Sequence, residues 1–102
     1  VTAEFAVALP AIALVLAAAL ASVHAVGLQV RLADAAADAA RALGRGETVD
    51  AAAGIAGRHV GGAGLTVLDD GEFVCATLTA RPTGVLAAIE LRAASCAMRG
   101  GL

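Results

Sequence analysis

The sequence predicts an α+β chain: a long N-terminal hydrophobic α-helix, then a short helix and a small three-stranded antiparallel sheet closed by one disulfide. Three observations predict it. Residues 5–28 contain no Asp, Glu, Lys or Arg. Glycines at 44 and 46, and again at 61, 62 and 64, break the pattern that follows. Two alternating runs then flank Asp70-Gly71, and a third run, residues 89–98, carries a second cysteine.

Composition narrows the function before any motif is read. Of 102 residues 60% are hydrophobic, yet 29 are Ala and only Phe5 and Phe73 are aromatic, so the apolar content is made of small side chains. Aromatic residues bury the most area each, and a head of about seventy residues without them is marginal unless something staples it. Seven Arg, no Lys and nine acidic residues leave a net charge of −2, which is no nucleic-acid footprint. The expected division is a transmembrane helix over residues 1–46 and an extracellular head over residues 47–102.

The N-terminal run reads FAVALPAIALVLAAALASVHAVGL. As a helix it extends about 36 Å, enough to cross a hydrocarbon core of about 30 Å. No basic residue precedes it, as the positive-inside rule would ask, so the chain reads as processed from a precursor with a basic start. Glu4 stands at its edge, either as a functional carboxylate in lipid or as an interfacial residue just outside it. Pro10 removes one helical N–H and crowds the carbonyl of Ala6, which predicts a local kink or unwound stretch. The many alanines favour close approach to other helices.

From residue 28 to 43 the helix becomes two-faced. Arg31, Asp34, Asp38, Arg41 and Arg45 recur at three- and four-residue steps, with Leu28, Leu32, Ala35, Ala39 and Leu43 opposite. The charged stripe is either a solvated face or a surface that pairs with neighbouring subunits. Gly44 and Gly46 end the helix. Thr48 is the expected N-cap of a second helix over residues 49–60, with Asp50 in its first turn and Gly54 and Gly57 weakening it.

The last third predicts a sheet. Asp70-Gly71 reads as a two-residue type I′ turn pairing Asp69 with Glu72, Val67 with Val74 and Leu65 with Ala76. Cys75 and Cys96 are too far apart for a redox CxxC pair and too few for zinc, leaving two buried thiols or one disulfide. A disulfide across an antiparallel pair sets Thr77 opposite Ala94, Thr79 opposite Arg92, and Arg81 opposite Glu90 as a complementary ion pair. That register puts Leu65, Val67, Val74, Ala76, Leu78, Ala80, Ile89, Leu91 and Ala93 on one face, where a helix would cover them. A disulfide also calls for an oxidising compartment, which places residues 29–102 outside the cytoplasm.

The opening VTAEFAVALP, an acidic residue followed by an aromatic and a long apolar helix, resembles the mature N-terminus of type IV pilins. It is most similar to the tight-adherence (Tad, or Flp-type) branch and its TadE-like actinobacterial relatives, over about residues 2–30. In that family the acidic residue lies fifth in the mature chain, behind a basic leader cut after a Gly by a prepilin peptidase. Here it lies fourth, which leads us to expect one further residue at the front. Flp pilins carry Glu-Tyr where this chain has Glu4-Phe5, and they have little beyond the helix. The resemblance implies a structural subunit that leaves the membrane to polymerise into an extracellular pilus, with the assembly machinery and further copies of itself as partners. It makes Glu4, Phe5 and Pro10 the assembly contacts, Glu4 being neutralised by the amine of a neighbouring subunit. A minor TadE-like subunit that primes or caps another fibre and a monomeric membrane-anchored surface protein are the rival readings.

Enzyme constellations are missing from the sequence. His24 and His59 sit in no metal-spacing motif and read as packing or surface residues. Ser22 and Ser95 have no base beside them in sequence, and there is no P-loop, GxGxxG or GxSxG. No enzyme activity, cofactor or metal is expected.

Overall fold

A computed structural model describes residues 2–100. Helix α1 runs over Thr2–Gly44 and helix α2 over Val49–His59, followed by strands β1 (Gly64–Asp69), β2 (Phe73–Ala80) and β3 (Leu91–Met98), with a 3₁₀ turn at Gly84–Leu86 between the last two. The sheet is antiparallel in the order β1-β2-β3. The molecule measures 69 × 19 × 17 Å because α1 alone is 43 residues long, about 64 Å at helical rise.

Helical backbone continues through Pro10 without an unwound stretch, which corrects that part of the expectation. The proline costs one backbone bond, to Ala6, and the turns around it hold because alanine and leucine have strong helix propensity. The helix stops at a Schellman cap: Gly46 N donates to the Leu43 carbonyl at 3.0 Å and Glu47 N to the Ala42 carbonyl at 3.1 Å. Gly46 takes φ 92° there, a conformation that favours glycine. Thr48 caps α2 by accepting from Ala51 N at 3.1 Å.

The core is built on the C-terminal half of α1. Leu28, Leu32, Ala35, Ala39 and Leu43 are all buried, as the periodicity predicts, and Ala36, Ala40, Ala42 and Gly44 widen the covered face. One cluster gathers Leu28, Leu32, Ala35 and Ala36 with Ala56, Val60, Leu78 and Ala93. The other joins Ala39, Ala40 and Leu43 to Ala52, Val74 and Ala76. Small side chains on α1 let α2 and the sheet approach it closely, so dispersion contacts at short range take the place of aromatic area. A boundary at residue 46 therefore does not separate two packing units, because residues 28–44 are the centre of the head.

The β2–β3 register is the expected one, with Cys75 opposite Cys96, Thr77 opposite Ala94 and Thr79 opposite Arg92. The β1–β2 register differs by two residues: Asp69 faces Val74, Val67 faces Ala76 and Leu65 faces Leu78. The turn residues are Gly71 and Glu72, not Asp70 and Gly71. A type I′ turn needs positive φ at both central residues, and no described non-glycine residue has it. With Gly71 at φ 94° in the first central position, the chain makes the II′-like alternative. Asp70 N donates to the Phe73 carbonyl at 3.1 Å, and the Asp70 carboxylate accepts from Phe73 N at 2.7 Å and Glu72 N at 3.0 Å. An even shift keeps the same faces, so Leu65 and Val67 still point at the core. Ile89 does not: the 3₁₀ turn delays the third strand to Leu91 and leaves Ile89 half exposed.

Candidate functional site

The residues that the sequence singles out fall into two groups at opposite ends of the molecule. Glu4, Phe5 and Pro10 lie in the first three turns of α1, all exposed. Glu4 sits in the first turn, where a carboxylate interacts favourably with the helix dipole. The head begins at Leu28, 24 residues further on and about 36 Å away at helical rise.

Between them α1 is apolar all round and uncovered. Its most apolar 18-residue window has a mean hydropathy of 2.5 and is 0% buried, and α1 is the one helix among the described residues long and apolar enough to cross a membrane. Phe5, Leu14 and Leu20 expose 63, 71 and 71% of their surface, and Ala11, Ile12, Val15 and Leu16 line a shallow, open apolar groove. A helix that is hydrophobic on every side is stable only when covered on every side, by lipid or by other protein. Ser22 does not interrupt this, since its hydroxyl donates back to the Ala18 carbonyl at 2.8 Å.

The second group belongs to the head. Cys75 and Cys96 are disulfide-bonded at directly opposed positions of β2 and β3. Alternation places them on the sheet face away from α1, where Cys96 is exposed, so the bond is outside the core. Arg81 and Glu90, just past the paired strand ends, stand 3.7 Å apart, with Arg92 4.0 Å from the same carboxyl. Arg81 also donates to the Ala88 carbonyl at 3.1 Å, steadying the loop that holds the 3₁₀ turn. The Asp70 carboxyl is held below its ordinary range by the Phe73 and Glu72 amides it accepts from.

The charged stripe on α1 is partly used within the molecule. Asp38 accepts from Arg41 at 2.9 Å and meets His59 Nε2 at 2.7 Å, so it ties α1 to the end of α2. Arg45 pairs with Glu47 at 2.7 Å. His24 Nε2 lies 3.4 Å from the Thr83 hydroxyl and Gln29 Nε2 donates to the Arg92 carbonyl at 2.9 Å, so both fasten the lower edge of the head to α1. Arg99 pairs with Asp69 across the hairpin end of the sheet. The three-residue step already pairs Asp38 with Arg41, but sequence spacing carries no signal for Asp38–His59, His24–Thr83, Gln29–Arg92 or Asp69–Arg99, which only the fold brings together.

These features define a class: an α+β protein with one apolar segment able to anchor in a membrane and a disulfide-bonded head packed on the same helix. Over 80 residues the chain is 48% identical to a protein of Mycobacterium tuberculosis (strain ATCC 25618 / H37Rv) named Apoptosis inhibitor Rv3655c, a match covering 76% of this chain. The match spans 62% of that protein, less than two thirds of its length. No protein-family model matches the chain. No solved structure matches it either.

Proposed function

We propose that this chain is a structural pilin subunit of a tight-adherence or type IV-like pilus. Its N-terminal helix is inserted in the cytoplasmic membrane and then passes into an extracellular helical filament. The observation that carries the reading is the all-round apolar and uncovered surface of α1 below residue 28, rigidly continuous with the helix that forms the core of the head. Lipid covers such a surface in the precursor, and the same segment of other copies covers it in the polymer. A head-to-tail contact that does not close on itself produces an open filament. The disulfide supports an oxidising compartment for the head. Glu4 gives each subunit one carboxylate at the base of the apolar segment, a charge that lipid disfavours and a neighbouring amine would neutralise.

The relative's name describes inhibition of apoptosis by that protein. The uncovered apolar length of α1 also suits a second reading, in which an anchored monomer presents its head to a partner. Shearing the surface of cells that express the chain, purifying the released material without detergent and imaging it by electron cryo-microscopy separates the readings. A helical fibre made of this chain, with residues 5–28 at its axis, is the expected result. A chain retained in the membrane fraction with no fibre defeats the filament reading in favour of the anchored monomer. Fibres of another protein with this chain sparse along them leave it a minor subunit.

A further inference from the structure

The apolar segment ends where the head's lower edge begins, and that edge is not built like the rest of the head. About 30 Å of hydrocarbon takes about 20 helical residues. A span that begins at Phe5 therefore reaches the headgroup layer near His24. At that level, the Thr83 hydroxyl lies 3.4 Å from His24 Nε2, so the loop after β2 lies beside the helix where it leaves the bilayer. This loop holds the 3₁₀ turn Gly84–Leu86 and is apolar without being buried: Val85 is 87% exposed, the most of any large hydrophobic residue described, and Ile89 is 50% exposed. Beside it are three exposed arginines: Arg31 on α1, with Asp34 one turn further along the helix, and Arg81 just past β2 and Arg92 on β3, which stand 3.7 and 4.0 Å from Glu90. Arg31, His24, Arg81 and Thr83 line one cleft with the Gly61-Gly62 backbone.

We infer that this edge is a second membrane contact: the 83–89 loop seats Val85 and Ile89 in the interfacial layer, and Arg31 and Arg81 take the phosphates of anionic lipid headgroups. The occupant follows from continuity with the apolar span and from charge. Apolar side chains at the level of the headgroups, ringed by arginines whose stems can lie along apolar surface, suit a lipid boundary. Anionic headgroups attract basic residues held next to the bilayer. The contact fixes the rotation and height of the head on the membrane. It rests on the membrane-inserted state in the proposed function, and it must be broken for a subunit to leave the bilayer.

The test uses the full chain, isotope-labelled, in nanodiscs of phosphatidylcholine and of equimolar phosphatidylcholine and phosphatidylglycerol, read by NMR. A doxyl label near the top of the acyl chain reports lipid contact and a soluble gadolinium chelate reports water contact. Backbone amides of residues 84–89 are expected to lose intensity to the doxyl label, while Gly71 at the far hairpin loses intensity only to the chelate. Arg31 and Arg81 side-chain signals should shift when phosphatidylglycerol is present. The exposed-site variant V85D/I89D should abolish the doxyl effect on the loop while residues 12–20 keep theirs and the amide pattern of β1, β2 and β3 is unchanged, which shows the head still folded. Loop amides as open to the chelate as Gly71, with residues 12–20 protected, overturn the inference and leave membrane insertion intact. Residues 12–20 open to the chelate overturn insertion itself, and the inference with it.

Discussion

Gly44 is where the end of the long helix meets the end of the last strand. A Cβ built on it would stand 2.8 Å from the Met98 carbonyl oxygen and 3.3 Å from the Ala97 Cβ, and the Gly44 carbonyl accepts from Gly100 N at 3.1 Å. The first obstacle is backbone held in a strand, so it cannot rotate aside. Overpacking of this kind costs about 1–3 kcal/mol, and exchanging Gly for Ala in a helix returns up to about 1 kcal/mol. Gly44→Ala should therefore destabilise the head by about 1–2 kcal/mol, with each kcal/mol lowering the midpoint by about 4–8 °C in a domain of this size. Gly54→Ala on α2 is the control, because nothing lies within 4 Å of its added Cβ. There the propensity term acts alone and stability should rise by up to about 1 kcal/mol. Thermal unfolding of the detergent-solubilised chain, followed by far-UV circular dichroism, measures both. Equal shifts in the same direction would refute the reasoning, since it requires the same substitution to act with opposite sign at the two sites.

Other predictions concern assembly, the disulfide and the hairpin. Glu4→Ala should leave the chain in the membrane fraction but absent from sheared filaments, and normal filaments from that variant would remove Glu4 from assembly. Because the disulfide closes a sequence separation of 21 residues, replacing both cysteines by Ser should cost about 3 kcal/mol by loop entropy. The bond lies outside the core, so the β-sheet amide pattern in NMR should survive the change, and a collapsed spectrum would show that the bond does more than cross-link. The Asp70 carboxyl is lowered from its ordinary 3.8 by the Phe73 and Glu72 amides. Its contribution to the hairpin is then fully present above that value and is lost as pH falls through the lower folded-state value. Protection of the Phe73 and Glu72 amides, taken as exchange relative to an unstructured chain at the same pH, should fall on acidification below about 3.8 in the native chain and lose that dependence in Asp70→Asn. A native profile that is flat there contradicts the two hydrogen bonds.

What could be read from residues alone was periodic or paired. A period of three to four picked out Leu28, Leu32, Ala35, Ala39 and Leu43, because the same spacing that makes a helix puts them on one side. The two cysteines established the β2–β3 register, and alternation then assigned the inner face of both strands correctly, apart from Ile89. The Asp-Gly signal located the hairpin but misplaced its turn by one residue. Dipeptide preference does not say which residue takes positive φ, and here Asp70 serves better as an acceptor for two amides than as a central residue. Pro10 predicted a local kink or an unwound stretch, and of these the unwinding does not occur, because strong helix formers stand on both sides.

By itself the sequence determined that there is one apolar segment of membrane-spanning length, where it ends, and that a small α+β head with two cysteines in bonding register follows. Those are local properties: runs of hydrophobicity, glycine breaks, and residues a few positions apart on one face. Only the tertiary structure decided that residues 28–44 of the same helix form the centre of the head, that Asp38 meets His59, and that Gly44 admits the end of β3. It alone set the 83–89 loop beside His24 at the edge of the apolar span. Most of these contacts join positions 21 or more residues apart, as Asp38 and His59 do, and contacts at such range follow from how close alanine-rich surfaces can come, which is decided by the packed whole.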